Sequence, residues 1–271
     1  MHLWDPGAHY YPWLCDPQHI AFRYGDYSAL KKPYLPADYR ADSAGWPVER
    51  TVYIEAEWDP RDPLGEMSFI AHVRRDGGFP SVAIGQAWLD RDDCAAVLES
   101  HARRGFVRGV RHKPKPGQMD EARWRAGYAR LAPLGLHFEL QAPWAQMSEA
   151  ARLAGDFPDT TIVVNHAGLP GNDDITGWRD AMARLSGQPN VMVKISGLGN
   201  LDAARKREVT LTLVDLFGTR RAMFASNYPV DRLRASFDAI YREFGEFTQG
   251  FSAEERSALF HDNAVRIYRM E

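Results

Sequence analysis

The chain carries only two cysteines, Cys15 and Cys94, too few for a disulfide framework or a cysteine-rich zinc site. No apolar run approaches the ~20 residues that span a bilayer, and the opening residues do not read as a signal peptide. Neither sign of charge dominates: 33 Lys and Arg stand against 36 Asp and Glu, a formal net charge of −3 over 271 residues. That balance leaves no electrostatic footprint for nucleic acid or an anionic membrane. Also missing are a G-x-G-x-x-G after a strand, a Walker loop, a G-x-S-x-G elbow and an H-E-x-x-H pair, the signatures of dinucleotide binding, nucleoside-triphosphate binding, serine hydrolysis and zinc proteolysis. A cysteine nucleophile is disfavoured, because Cys94 falls on the inner face of a helical pattern and Cys15 in a loop. The expectation is a cytoplasmic protein whose partner is a small molecule, with a homodimer conceivable from the aromatic residues near the N-terminus.

What is present is a repeating architecture. With 45% hydrophobic and 25% charged residues the composition is ordinary for a globular chain. Short β-rich runs recur every ~25–30 residues, the length of a strand-plus-helix unit. They are Thr51–Glu57, Ser81–Leu89, Phe106–His112, Leu136–Ala142, Thr161–Ala167, Val191–Gly197 and Ala222–Asn227, and His2-Leu3-Trp4 reads as the end of an eighth. Helical patterns lie between them. Asp92–Arg104 places Cys94, Val97, Leu98 and His101 on one face, Glu121–Leu131 aligns Trp124, Tyr128 and Leu131, and Ser148 reads as the cap of a helix with Ala150, Leu153, Ala154 and Phe157 inside. Ser252 with Glu255 forms a capping box before the last helix. Strands alternating with helices pair in parallel, and eight units in this length predict a single-domain (β/α)8 barrel over a doubly wound open sheet.

Pro6–Pro47 stands apart, rich in Pro, Tyr, Trp and Asp, with one short helical stretch near Asp38–Ala44. A loop of that length reads either as a wall or lid of a pocket or as a wrap under the barrel.

The strand ends are unusually polar: His2; Glu55 and Glu57; Gln86; Arg111 and His112; Glu139 and Gln141; Asn165 and His166; Lys194 and Ser196; Ser226 and Asn227. Barrel chemistry sits at this rim, and a buried charge is costly unless it is paired or used. Single residues have structural readings as well. His166 suits a core histidine, the glutamates suit salt bridges, and Trp88 and Trp144 suit packing. Their recurrence on successive strands points to a shared polar pocket.

Several of these fragments, in order, resemble the amidohydrolase superfamily, in its amidohydrolase-related branch of lactonase-like and pyrone dicarboxylate hydrolase-like proteins. They are His2-Leu3-Trp4-Asp5-Pro6, Gly109-Val110-Arg111-His112, Asn165-His166-Ala167-Gly168, Val193-Lys194-Ile195-Ser196-Gly197-Leu198, Ser226-Asn227-Tyr228-Pro229-Val230-Asp231 and His261-Asp262-Asn263-Ala264. The resemblance implies a (β/α)8 barrel and hydrolysis, often of a lactone. It makes His2 and His166 the metal-ligand positions, for zinc in members with a full site, while other members work without metal. Two departures weaken the metal reading. The motif's first histidine would fall just before Met1, and Asn227 stands where the family has Asp; an amide is a poor zinc ligand and takes no proton from water.

The expected chemistry is opening of a sugar-acid or aromatic-degradation lactone by water attack at its carbonyl. Arg111, His112 and Lys194 would hold the developing oxyanion or a substrate carboxylate, and Trp144 would line the substrate site. His166 or His2 would act as base, Glu139 next, with Asn227 orienting water. A decarboxylase and a non-catalytic ligand-binding barrel are the alternatives.

Overall fold

The computed structural model describes residues 1–18 and 20–270, with only the backbone of residue 76. Among these residues seven parallel strands form one curled sheet in sequential order: β1 Val52–Ile54, β2 Val82–Gln86, β3 Val107–His112, β4 His137–Leu140, β5 Ile162–Val164, β6 Val191–Ile195 and β7 Ala222–Phe224. Each lies within one of the β-rich runs. Helices return the chain between them, among them Gly65–Gly77, Cys94–Arg103, Met147–Asp156, Ile175–Ser186 and Ala203–Phe217.

The eighth run forms no strand. Its backbone nonetheless makes bonds on both sides of the sheet's open seam: Ile54 N–H donates to the Met1 carbonyl at 2.9 Å, and His2 N–H donates to the Tyr228 carbonyl at 2.8 Å. Trp4 instead bridges antiparallel to Tyr34, which turns the chain away after two residues.

Alternation along the strands sorts the core. Ile162 and Val164 of β5, Val191, Val193 and Ile195 of β6, and Ala222 and Phe224 of β7 pack outward in a cluster with helix residues such as Trp178 and Leu213. Val163, Met192 and Met223 point the other way, into an inner cluster with Ile54, Ile84 and Tyr268. Side chains two apart share a face, so Lys194 sits on the inner face one step above Met192. The β2–β3 register slips by one residue between Ala83 and Ile84, a bulge that leaves Gln86 paired with Arg111.

The helical faces of Cys94–Arg103 and Ala122–Tyr128 are buried as the patterning predicts, and the Ser252–Glu255 capping box is present. The helix assigned to a Ser148 cap starts earlier, at Met147 with Gln146 as its N-cap, because a 3-10 turn over Trp144–Gln146 runs straight into it. In the N-terminal region the short helix is Pro36–Asp42, and Pro at its first position pre-sets the backbone. No helix among the described residues is long and apolar enough to cross a membrane.

Candidate active site

His2, Arg111, His166, Lys194 and Asn227 converge on one cavity, together with Ser196. His2, Arg111, His166 and Asn227 also border the adjoining mouth, a cavity of about 290 Å³ walled on its far side by Trp13, Phe22 and Arg23 of the N-terminal segment. Three rim residues adopt the left-handed backbone region: Glu57 at φ 59°, His166 at φ 52° and Asn227 at φ 53°. Asn and His tolerate that region better than Glu does, and strain of this kind persists where surrounding structure enforces it.

Hydrogen bonding fixes the state of His2. Its Nδ1 lies 2.9 Å from the Ile54 carbonyl oxygen, which only accepts, so the ring proton sits on Nδ1. Burial first, and then the Arg111 charge, hold the imidazole pKa well below its ordinary value. The ring is neutral and Nε2 offers a lone pair. Nε2 stands 3.4 Å from Asn227 Oδ1. The Asn227 amide is oriented from its other side, where Nδ2 donates to Asp231 Oδ1 at 2.7 Å. Asp231 is itself buried and accepts from Tyr24 Oη–H at 2.7 Å, with Arg23 at 3.7 Å. Two acceptors, His2 Nε2 and Asn227 Oδ1, therefore face one another.

His166 is also neutral. Burial, followed by Arg23, Lys194 and Arg111, depresses its pKa well below the usual value. Its Nδ1 shares a hydrogen bond with Ser196 Oγ at 2.9 Å. A short 3-10 turn, His166–Gly168, places the ring at the end of β5.

The cations are anchored by acids. Lys194 Nζ lies 2.6 Å from Glu139 Oε2, and Glu139 also accepts from Tyr268 Oη–H at 2.6 Å and Asn165 Nδ2–H at 2.6 Å. Burial alone would raise the Glu139 carboxyl, but the Lys194 and His137 interactions outweigh it and hold the group ionised, below the ordinary carboxylate range. With its oxygens engaged, Glu139 is the counter-ion of Lys194 and does not border the cavity mouth, so its place is not that of a base. Arg111 is paired with Glu55, donates from Nη2 to the Glu55 carbonyl at 2.6 Å and from Nη1 to Gln141 Oε1 at 3.0 Å. Two of its five N–H groups and two of Lys194's three remain for a ligand.

Two anticipated residues lie elsewhere. His112 follows Arg111 directly, so strand alternation turns it away from the first cavity, to Trp124 and to an adjoining cavity that Arg111 also borders. Trp144 sits on the turn after β4, against Gly177 of the helix Ile175–Ser186, and packs on the outer cluster. Arg23, Tyr24 and Asp231 were not anticipated. Asp231 had a signal, four residues after Asn227 in the last strand's motif; Arg23 and Tyr24 had none, because they reach the site from an irregular segment.

The donor set does not fit a catalytic divalent ion. His2 and His166 bring neutral nitrogens and Asn227 a neutral amide, and the nearby anion, Asp231, is already engaged by three groups. Among the described residues no group of three or more His, Cys, Asp and Glu side chains is arranged to hold a metal, whereas three protein ligands are usual for catalytic zinc.

A family model described as Amidohydrolase matches residues 1–270. The protein y4mH of Sinorhizobium fredii is 39% identical over 290 residues, covering 100% of this chain and 97% of its own length. An L-fucono-1,5-lactonase of Burkholderia multivorans is 26% identical over 294 residues, covering 100% of this chain and 94% of its own. Among solved structures, an amidohydrolase from Burkholderia multivorans with bound zinc superposes with a TM-score of 0.84 at 23% identity, covering 100% and 97% of the two chains; at that identity the likeness shows the fold.

Proposed function

The chain belongs to the amidohydrolase family, and from that premise we propose that it is a metal-independent lactonase opening a sugar-acid lactone, with His2 as base. Its likeness to an L-fucono-1,5-lactonase supports the bond class. The observation that carries the reading is the facing pair of acceptors, His2 Nε2 and Asn227 Oδ1. Two acceptors do not bond each other; a water molecule, with two protons, satisfies both. Held there, the water has its oxygen lone pair free to attack.

As the water adds to the lactone carbonyl, His2 Nε2 takes its proton. The carbonyl oxygen becomes an alkoxide, stabilised by the N–H groups of Arg111 and Lys194 that the protein leaves unused. Such fixed donors are commonly worth about 3–4 kcal/mol each in the transition state. The His2 imidazolium is disfavoured by burial and by Arg111, so it gives the proton up to the ring oxygen as the C–O bond breaks. The product is a hydroxy acid. Once it has released its carboxyl proton to solvent, its carboxylate faces Arg111, whose fork suits two oxygens. His166, neutral and set by Ser196, borders the same space and hydrogen-bonds the substrate.

The same reading completes the architecture as a single closed (β/α)8 domain in which Met1–His2 takes the place of the eighth strand, supported by its bonds to Ile54 and Tyr228.

The test is a panel of aldonolactones and simple lactones assayed by acid release. Ring opening well above the spontaneous rate is expected. Carbon dioxide release without ring opening would move the site to the decarboxylase reading, and tight binding without turnover would make it a binding barrel.

A further inference from the structure

A second cavity of about 370 Å³ opens at the ends of β1, β2 and β3 and shares Glu57, Arg111 and Lys113 with the mouth of the first. Two polar side chains in it have capacity that the protein does not use. Gln86 Oε1 is buried with no hydrogen-bond partner among the described residues, although buried acceptors are rarely left unpaired. His112 Nδ1 accepts from the Trp124 indole N–H at 3.0 Å and from Leu89 N–H at 3.4 Å. Those donors place the ring proton on Nε2. Burial drives the His112 pKa down to about 4, with Asp90 opposing, so Nε2–H is a neutral donor throughout the physiological range.

The charges bordering this cavity balance. Arg111 is paired with Glu55 and Lys113 with Glu57, while Lys115 and Asp90 both line the cavity, and Asp90 accepts from Gln118 Nε2 at 2.9 Å. No net charge selects an anion. A neutral donor and a neutral acceptor lining one cavity match a ring that carries hydroxyls, each of which both donates and accepts.

Resting on the hydrolase reading above, we infer that this second cavity is the subsite for the uncharged, hydroxyl-bearing part of the substrate, with Gln86 accepting from its hydroxyls and His112 donating to them while the ester carbonyl lies at His2 and Asn227. Gln86 and His112 then determine which lactones are preferred, and the Glu57–Lys113 pair, at the border of both cavities, is the sill the substrate crosses.

The experiment compares two lactams that keep the ring shape without being hydrolysed, glucono-δ-lactam and δ-valerolactam, by calorimetric titration of the full chain. The wild type should bind the hydroxylated ring at least tenfold more tightly. Gln86→Met, which keeps length and removes the acceptor, should narrow that preference about fivefold, the worth of one neutral hydrogen bond. Equal binding by the wild type, or a preference that Gln86→Met leaves intact, overturns the subsite. Should that variant not fold, Gln86→Asn, which draws the acceptor back by one methylene, replaces it, and the wild-type comparison stands alone as a test. Discrimination between the lactams with no hydrolysis of the corresponding lactones retains the subsite and removes the hydrolase reading. Hydrolysis of both lactones with equal kcat/KM retains the hydrolase and removes the subsite.

Discussion

At the scale of single residues, the candidate base and the group that orients its water are separable by substitution. His2→Asn removes the acceptor at Nε2, and kcat/KM on a responsive lactone should fall by about 10²–10⁴, the usual contribution of a positioned base; retention of more than a tenth of the activity sinks the assignment. Because the His2 pKa is depressed, the neutral base survives acidification. The acid limb of kcat/KM should therefore lie well below pH 6.5, activity being lost as pH falls through the lowered value. An acid limb at or above 6.5 would contradict a buried imidazole. Asp231→Leu removes the acceptor that orients the Asn227 amide; kcat, referred to the concentration of folded protein, should drop about tenfold with KM little changed. At this scale the sequence was most legible where a residue stood at the end of a strand. His2, Arg111, His166, Lys194 and Asn227 were all recognisable there as polar side chains after apolar runs. What it hid was pairing. Glu139 read either as a salt-bridge partner or as a further choice of base, and Lys194 as a donor to substrate, but that the two belong to each other showed only when the sheet brought them within 2.6 Å, a relation between strands that no local pattern encodes.

At the scale of elements, the helix Gly65–Gly77 is tied to β1 by a buried carboxyl. Glu66 Oε1 accepts from Tyr53 Oη–H at 2.9 Å and from Ala56 N–H at 2.6 Å. Burial, and then the nearby Glu55, push its pKa up to about 8. With the folded value raised above the unfolded one, the group's stabilisation is complete below the ordinary carboxylate pKa and is lost as pH rises through about 8. Glu66→Gln keeps the shape without the titration. Subtracting the variant's thermal midpoints from the wild type's between pH 5 and pH 9 should give a difference that declines steadily towards pH 8; parallel curves would show that Glu66 is not protonated in the fold. Elements themselves were readily legible, since all seven strands lie inside β-rich runs recurring at regular spacing. Boundaries were less so. Ser148 carries the chemistry of a cap, yet the turn at Trp144–Gln146 starts the helix before it, a tertiary choice that propensity does not record.

At the scale of the whole molecule, the cavity collects cations from separate strands around neutral imidazoles and an amide. Each cation is paired with a buried carboxylate, so it is the ligand count, two imidazoles and an amide, that disfavours a divalent ion, while the unused N–H groups suit an oxyanion. Prolonged treatment with a chelator should leave lactone hydrolysis within twofold of the untreated rate, and added zinc should not increase it; loss of activity on chelation with recovery on zinc would overturn the metal-independent reading. The barrel-like order of the sheet was legible because strand and helix alternate at constant spacing. At the seam the sequence offered only His2-Leu3-Trp4, read as the end of an eighth run, where the structure forms no strand but two backbone bonds.

The alternation along β3 has one consequence for how such a site can change. Arg111 and His112 are adjacent in the chain, yet Arg111 borders both the bond-breaking chamber and the chamber next door while His112 borders the second alone. A lineage can remodel Gln86 or His112 to suit a new sugar without touching the groups that handle water. A single-residue insertion in β3, by contrast, would exchange the guanidinium for the imidazole and disable both rooms at once.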